Sequence, residues 1–366
     1  MIASAAQRTN RIGSMTRDHF GQRCNTLALM KHTLFGLLLL GIAGLSAPAS
    51  THHGAVQFIQ VHGKGLEGNL EGDSPDRKVA VYLPPSYNAS RNRLYPVVYL
   101  LHGFTDDVDR WWGVKPHFVN VPVVMDGAIN AGMKEMIVVM PDAFTRYQGS
   151  MYSNSITTGN WEDYVAKELV TYIDAHYRTI ADRAGRGLTG HSMGGYGAIR
   201  IGMKHPEIFS SLYLMSPCCM MVGNSRPNPR AEAVRDPAEV ASLDFFTKAM
   251  FASAAAWSPN PKNPPLFLDP PYRNGELQPQ IIAKWQANAP LATIDQFISN
   301  LRQYRAIGMD AGTKDLVIAG TVGELDKILN DYAIGHMYET YDGNHINRIA
   351  ERLEKKVLPF FAVNLK

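Results

Sequence analysis

The sequence predicts an α/β fold in which a mostly parallel central sheet is covered by helices on both faces. Strand-like and helix-like segments alternate along most of the chain. The segments 95–101 and 136–140 are continuous apolar runs, as expected of strands buried on both faces. The chain has 366 residues, of which 45% are hydrophobic, and contains no linker-like stretch. It therefore suits one large domain.

Each predicted element follows from the residue pattern of its segment. Short runs rich in β-branched, apolar and aromatic residues predict strands, and longer segments with apolar residues at helical spacing predict helices. The expected strands are 56–61, 78–83, 95–101, 136–140, a short one before Ser192, 211–215, 304–309 and 337–341. The expected helices are 121–131, 161–176, one that follows Ser192 and ends at Lys204, and 347–357.

Residues 217–290 interrupt this alternation. Twelve of the 22 prolines fall in this segment, which predicts a long insertion with a few short helices after the strand that follows the helix ending at Lys204. We expect the insertion to lie over the functional site as a lid or substrate wall. The alternative is an excursion with a purely structural role.

The N-terminal 49 residues have the pattern of an export leader. Lys31 precedes an apolar run at 34–45, and Ala47-Pro48-Ala49 has the small-x-small form of a signal-peptidase site. The run is too short for a permanent bilayer span. We therefore expect a leader over 1–49 with a signal peptide at 30–49, a single domain over 50–366, and a secreted or periplasmic protein. An organelle transit peptide is the alternative.

The net charge of +3 also comes from the leader. Five basic residues and one acidic residue give residues 1–49 a charge of +4, which leaves −1 for the remainder. A nearly neutral domain gives no indication of a nucleic-acid partner or of an anionic surface. The sequence does not define an oligomeric state.

The pentad Gly190-His191-Ser192-Met193-Gly194 is the strongest motif. A G-x-S-x-G pentad between a strand and a helix is a nucleophile elbow, a sharp turn that lifts the serine hydroxyl above the sheet. Small residues at 190, 194 and 195 allow the strand and helix backbones to approach closely. Ser192 is therefore the predicted nucleophile.

A serine hydroxyl needs a base, and in this type of fold the base comes last in chain order. His345 lies in a loop directly after the predicted strand 337–341, where it would reach the carboxyl edge of the sheet. His205 and His336 also follow Ser192 but lie at a helix end and a strand start. The acid that orients the base falls between the last two strands, where Asp310 and Asp315 both remain candidates.

Two backbone N–H groups would complete the site as an oxyanion hole. Met193 follows the nucleophile, and Phe104 lies in the Leu101-His102-Gly103-Phe104 loop after the third strand. We expect His102 to hold this loop through local hydrogen bonds. The predicted chemistry needs no metal and no organic cofactor.

Several aromatic and polar residues lie in segments that should reach the mouth of the site. Aromatic surfaces at that position would suit a phenolic acyl group or a sugar, although such residues also form cores. The candidate substrate-binding residues are Trp111, Trp112, Tyr152, Asn154, Trp161 and His191.

Together these motifs resemble the α/β-hydrolase esterase family that contains S-formylglutathione hydrolases, feruloyl and acetylxylan esterases, enterochelin esterases and the antigen 85 mycolyltransferases. The matching pieces run in the family's order from residue 78 to 348. They are Tyr82-Leu83-Pro84-Pro85-Ser86-Tyr87, the segment 96–103, Trp161-Glu162, the pentad with Gly195, Gly312-Thr313-Lys314-Asp315 and Gly343-Asn344-His345. The resemblance implies that the acid is Asp315, because the family's aspartate ends a Gly-Thr-x-Asp turn.

The resemblance implies an exported serine carboxylesterase that acts through an acyl-enzyme intermediate on a small-molecule or carbohydrate ester, similar to feruloyl or acetylxylan esterases. The insertion at 217–290 and Ile346 depart from the family pattern, which leaves the substrate open. Two alternatives remain: an acyltransferase of the antigen 85 type, and a non-catalytic carbohydrate-binding protein on a hydrolase fold.

Overall fold

The structure is a computed structural model that describes residues 52–223 and 226–366. The predicted leader and its signal peptide lie outside the described residues. Within the described residues, no helix combines the length and the apolar character needed to cross a bilayer.

Eight strands of the described part of the chain form one central sheet in the order β1-β2-β4-β3-β5-β6-β7-β8. The strands are β1 Ala55–His62, β2 Asp76–Leu83, β3 Val97–Leu101, β4 Ile137–Pro141, β5 Arg186–His191, β6 Ser211–Met215, β7 Ala306–Gly312 and β8 Met337–Tyr341. β2 runs antiparallel to both β1 and β4, whereas all other neighbours are parallel. This confirms the predicted mostly parallel α/β sheet.

Side chains from successive strand residues enter two different cores, one on each face of the sheet. Val79 and Val81 of β2 join one hydrophobic cluster, whereas Ala80 and Tyr82 join the other. This division follows from the two-residue period of a strand. It explains why β3 and β4 are apolar at every position.

Helices cover both faces and lie close to their predicted positions. The last helix continues further than the predicted 357, through to residue 364. The helix at 161–176 includes a π-helical segment in its middle. The longer helices and helical segments are Val121–Asn130, Trp161–Asp163 with Tyr164–Leu169 and Val170–His176, Met193–Lys204, Phe245–Trp257, Pro279–Gln286, Leu316–Asp331, and Ile349–Arg352 with Leu353–Val357 and Leu358–Asn364.

The insertion between β6 and β7 packs on the domain through its helix Phe245–Trp257. The Phe251 ring stacks on Tyr147 with 6.1 Å between centroids. The Ser155 hydroxyl donates to the carbonyl of Ala255 at 2.6 Å. These contacts fix the helix beside the carboxyl edge of the sheet.

Glycines at the turn after β5 permit a very close approach to β3. A Cβ on Gly194 would lie 2.0 Å from the carbonyl oxygen of Leu101, and one on Gly190 would lie 2.4 Å from the carbonyl group of Gly194. Both clashes are with backbone atoms, which cannot swing away as a flexible side chain can. The two positions therefore require glycine.

We predict that Gly194→Ala lowers the free energy of unfolding by about 3 kcal/mol, because β3 and the helix after Ser192 must separate to admit the methyl group. Gly320→Ala is the matched control, since Gly320 lies inside the helix Leu316–Asp331 with no atom near its Cβ position. It should gain up to about 1 kcal/mol from helix propensity. Urea unfolding followed by circular dichroism measures both, and equal effects would contradict the packing argument.

Candidate active site

Ser192 occupies a strained turn between β5 and the helix Met193–Lys204. Its φ of 57° and ψ of −114° lie outside the regions that a residue with a side chain prefers. Its N–H donates to Met215 at 3.0 Å, and its carbonyl accepts from Tyr196 at 2.9 Å and from Cys218 at 3.1 Å. Hydrogen bonds to three neighbouring segments therefore hold the strained conformation in place.

Ser192, His345 and Asp315 form a continuous hydrogen-bonded chain. The Ser192 Oγ lies 2.8 Å from His345 Nε2, and His345 Nδ1 lies 2.5 Å from Asp315 Oδ2. A carboxylate can only accept, so Nδ1 carries the proton and Nε2 is left with a lone pair directed at the serine hydroxyl. The arrangement can take a proton from Ser192 and return it to a leaving group.

Asp315 reaches His345 because its turn is bonded to the histidine loop. The N–H of Thr313 donates to Tyr341 at 2.8 Å, and that of Lys314 donates to Gly343 at 2.9 Å. Asp315 directly precedes the helix Leu316–Asp331, yet its carboxylate does not cap that helix. The carboxylate therefore remains available to the imidazole.

Asp310, the other acid candidate, lies in the core and bonds to a different set of groups. Its carboxylate is fully buried and accepts from Arg352 at 2.8 Å and from the Tyr213 hydroxyl at 3.0 Å. Burial raises the pKa of Asp310, and the nearby Arg352 guanidinium partly opposes that shift. The structure therefore brings Asp315, and not Asp310, to His345.

Phe104 and Met193 lie beside Ser192 and line the same pocket. Met193 is the first residue of its helix, so its N–H has no acceptor within the helix. Behind the two side chains lies Gly149, where a Cβ would come within 2.7 Å of both. The local sequence pattern around Gly149 does not identify it, because the pattern gives no indication that two distant segments converge there.

His102 holds the Phe104 loop, as predicted. Its Nε2 accepts from the Ala143 N–H at 2.9 Å, which leaves the proton on Nδ1 for the Gly103 carbonyl at 2.9 Å. Both ring nitrogens are therefore used to fix backbone. In the described part of the chain, no group of three or more His, Cys, Asp or Glu side chains is arranged to hold a metal ion.

A cavity of about 440 Å³ opens at Ser192. One wall comes from the insertion helix Phe245–Trp257 and another from the start of the helix Leu316–Asp331. The sequence predicts the insertion near the site but does not identify which of its side chains line the cavity. The cavity is lined by Phe104, Met151, Ser192, Met193, Cys218, Cys219, Phe245, Phe246, Ala249, Ser253, Asp315, Val317, Ile318 and His345.

The candidate substrate-binding residues do not line this cavity, which corrects the expectation that they reach its mouth. Trp111, Trp112, Tyr152 and Trp161 are buried in the two hydrophobic cores. Large aromatic side chains gain most by leaving water, which explains why these four are buried in the cores.

The two remaining candidates also point elsewhere. Asn154 is exposed and bonds to the Asp163 carboxylate at 2.8 Å. His191 is buried behind the hydrogen-bonded chain, where its Nε2 lies 2.8 Å from the backbone carbonyl of His345 and its ring lies 4.8 Å from the His345 ring. His191 thus supports the loop that carries His345. Burial, reinforced by the neighbouring His345, lowers the pKa of His191 to about 3.

The sequence of this chain also matches a known protein family. The Esterase family model matches residues 74–349, which is more than half of the chain. An esterase of Mycobacterium tuberculosis is 36% identical over 137 residues, which cover 36% of this chain and 27% of that protein. An endo-1,4-β-xylanase/feruloyl esterase of Xylanibacter ruminicola is 32% identical over 140 residues, which cover 37% and 19%. The match thus spans about a quarter or less of each curated relative.

Solved structures share the fold over most of the chain. A ferulic acid esterase superimposes with a TM-score of 0.60 at 22% identity and covers 86% of this chain and 100% of its own. An S-formylglutathione hydrolase of Staphylococcus aureus gives a TM-score of 0.55 at 17% identity, with coverages of 85% and 99%. At these identities the likeness concerns the fold.

We predict that the free energy of unfolding falls as the pH drops from about 6.5 towards 3. The unfolded chain binds a proton at His191 near its ordinary pKa of 6.5, whereas the folded chain resists protonation until about pH 3. Acid therefore favours the unfolded state, by on the order of 4 kcal/mol at this residue. Urea unfolding at pH 7, 5 and 4 measures the loss.

His191→Gln keeps an N–H donor for the His345 carbonyl but does not titrate, so it should show a clearly smaller loss on acidification. His53→Gln, at an exposed histidine, is the control and should behave as the original chain. If His191→Gln loses as much unfolding free energy on acidification as the original chain, His191 is not the source of that loss.

Proposed function

The chain belongs to the Esterase family, and on that basis we propose that it is an exported serine carboxylesterase that acts through an acyl-enzyme intermediate. The observation that carries the proposal is the chain of hydrogen bonds from Ser192 Oγ through His345 to Asp315. Ser192, the first residue of this hydrogen-bonded series, lines an open cavity of about 440 Å³, so a substrate can reach the serine. A protein that only binds carbohydrate has no need of this arrangement.

In the proposed reaction, Ser192 Oγ attacks the ester carbonyl while His345 Nε2 accepts the hydroxyl proton. The N–H groups of Phe104 and Met193 stabilise the negative oxygen of the tetrahedral intermediate. When the intermediate collapses, the C–O bond to the alcohol breaks and His345 returns its proton to the departing oxygen. Ser192 then carries the acyl group.

Water completes the cycle by the same route. His345 Nε2 takes a proton from the water as it attacks the acyl carbonyl, and then gives that proton to Ser192 Oγ as the acid departs. Asp315 keeps the imidazole in the required tautomer and stabilises its charged form. No metal or organic cofactor has a part in these steps.

The proposed location, secreted or periplasmic, rests on the leader. Residues 30–49 combine a basic start, an apolar run and a cleavage pattern. The single domain over 50–366 would be the exported enzyme.

Acyl transfer, in which an alcohol replaces water as the acceptor of the acyl group, is the second candidate. The apolar side chains that surround Ser192 favour it, since they disfavour a water-filled site. New esters formed when glycerol or a sugar is added to the assay would indicate transfer.

The first test is steady-state hydrolysis of p-nitrophenyl acetate and methyl ferulate by the full chain. We expect p-nitrophenyl acetate turnover with a burst of about one p-nitrophenol per enzyme molecule, because the activated phenol leaves faster than the acetyl-enzyme hydrolyses. Ser192→Ala should lower kcat at least about a thousandfold. Undiminished turnover in that variant would refute the mechanism, and ligand binding without any turnover would favour the binding-protein alternative.

Variants of the two aspartates distinguish a role in catalysis from a role in stability. We predict that Asp315→Asn lowers kcat by about a thousandfold or more with little effect on unfolding, because the neutral amide cannot stabilise the charged imidazole and its NH2 group favours the wrong tautomer of His345. Asp310→Asn should cost about 3 kcal/mol of stability, because Arg352 loses its buried partner, while kcat per folded molecule stays within about threefold. The reverse pattern would assign the acid to Asp310.

A further inference from the structure

The walls of the catalytic cavity are apolar almost throughout. Phe104, Met151 and Met193 lie on the side of the predicted oxyanion hole. Phe245, Phe246 and Ala249 of the insertion helix, with Val317 and Ile318, supply the rest of the apolar lining. The Phe245 ring contacts the Phe104 ring edge-on, with 5.5 Å between centroids. Apart from Ser192, Asp315 and His345, the described lining residues offer one hydroxyl, on Ser253, and two thiols, on Cys218 and Cys219.

The rim of the same cavity exposes large apolar side chains to water. Phe246 is 82% exposed, Val317 is 78% exposed and Phe245 is 51% exposed. Phe245 and Phe246 begin the insertion helix, and Val317 lies in the first turn of the helix Leu316–Asp331. Phe245 packs edge-on against Phe104 and Phe246, yet much of the rim area stays in water. Exposed apolar groups that are grouped around a serine at a cavity mark a binding surface.

We infer that this cavity and its rim bind the aliphatic acyl chain of a medium-length fatty acyl ester. The inference rests on the proposed function and specifies the acyl group for it. A volume of about 440 Å³ lies within the range of small-molecule sites, and an acetyl group would leave most of that space in contact with water. A longer hydrocarbon chain would fill it and cover the rim.

The lining also favours an alkyl chain over a feruloyl group. A feruloyl ring carries a phenol hydroxyl and a methoxy oxygen, and a buried hydroxyl without a partner is costly. Ser253 is the single hydroxyl outside the hydrogen-bonded chain among the described lining residues. An alkyl chain requires no hydrogen-bond partner, and the flexible side chains of Met151 and Met193 adapt to its shape.

A series of p-nitrophenyl esters tests the inference with a constant leaving group. Acetate, butyrate, hexanoate and octanoate are compared below the concentration at which they aggregate. Each methylene transferred from water to the cavity can raise kcat/KM by up to about fourfold, so we expect at least a tenfold rise from acetate to octanoate. Values that stay level or fall with chain length would overturn the inference.

Methyl octanoate and methyl ferulate compare the two acyl groups with the same alcohol. We expect the higher kcat/KM for methyl octanoate. Preference for methyl ferulate would overturn the inference in favour of an aromatic acyl group.

Rim variants show where the chain binds. Phe246→Ser and Val317→Ser should lower the octanoate-to-acetate ratio of kcat/KM at least fivefold. Leu316→Ser is the matched control, because Leu316 is 78% exposed in the same helical turn but does not line the cavity. Its ratio should stay within twofold. Because all three residues are largely exposed, their replacement should leave the fold intact, and an equal fall in all three ratios would overturn the assignment to this cavity.

The outcomes separate the inference from the proposed function. Acetate turnover that depends on Ser192 without any gain for longer chains would leave the esterase mechanism standing and refute the acyl-chain site. Failure to turn over any ester would refute both.

Discussion

The close approach of the pentad glycines to β3 is the constraint on which the site depends. The Gly194 Cα lies so near the Leu101 carbonyl that a methyl group would be 2.0 Å from its oxygen. This approach lets the helix begin immediately after β5 and forces Ser192 into a positive φ. It also places the helix N-terminus beside the loop after β3, so that Met193 and Phe104, the proposed oxyanion donors, line the same cavity.

A second close approach sets the geometry of the base. A Cβ on Gly312 would lie 2.3 Å from the Gly343 carbonyl oxygen, so the turn after β7 and the loop after β8 are in direct contact. Asp315 and His345 follow these glycines closely in the sequence, so the contact between the two glycines keeps the two side chains near each other. The alignment of Asp315 with His345 thus comes from backbone packing, which tolerates less displacement than flexible side chains would.

The insertion supplies a large part of the cavity wall at Ser192. It is tied to the helix after Ser192 by Arg200, which bonds to Asn288 at 2.8 Å and to Glu162 at 3.0 Å. Its helix Phe245–Trp257 then brings apolar side chains to the serine. The hydrogen-bonded residues and much of the cavity wall therefore come from separate parts of the chain, so the wall can differ between related proteins without disturbing that arrangement.

The sequence alone specifies the sheet, the helices and the predicted nucleophile, because strand burial, helical spacing and the glycine pentad are local patterns. It also narrowed the base to His345 through chain order. The choice between Asp310 and Asp315 by geometry, the inward burial of Trp111 and Trp161, and the cavity wall of Phe245 and Phe246 required the tertiary structure. Each depends on which distant segments meet, and an aromatic or acidic residue has the same local pattern whether it faces a core or a cavity.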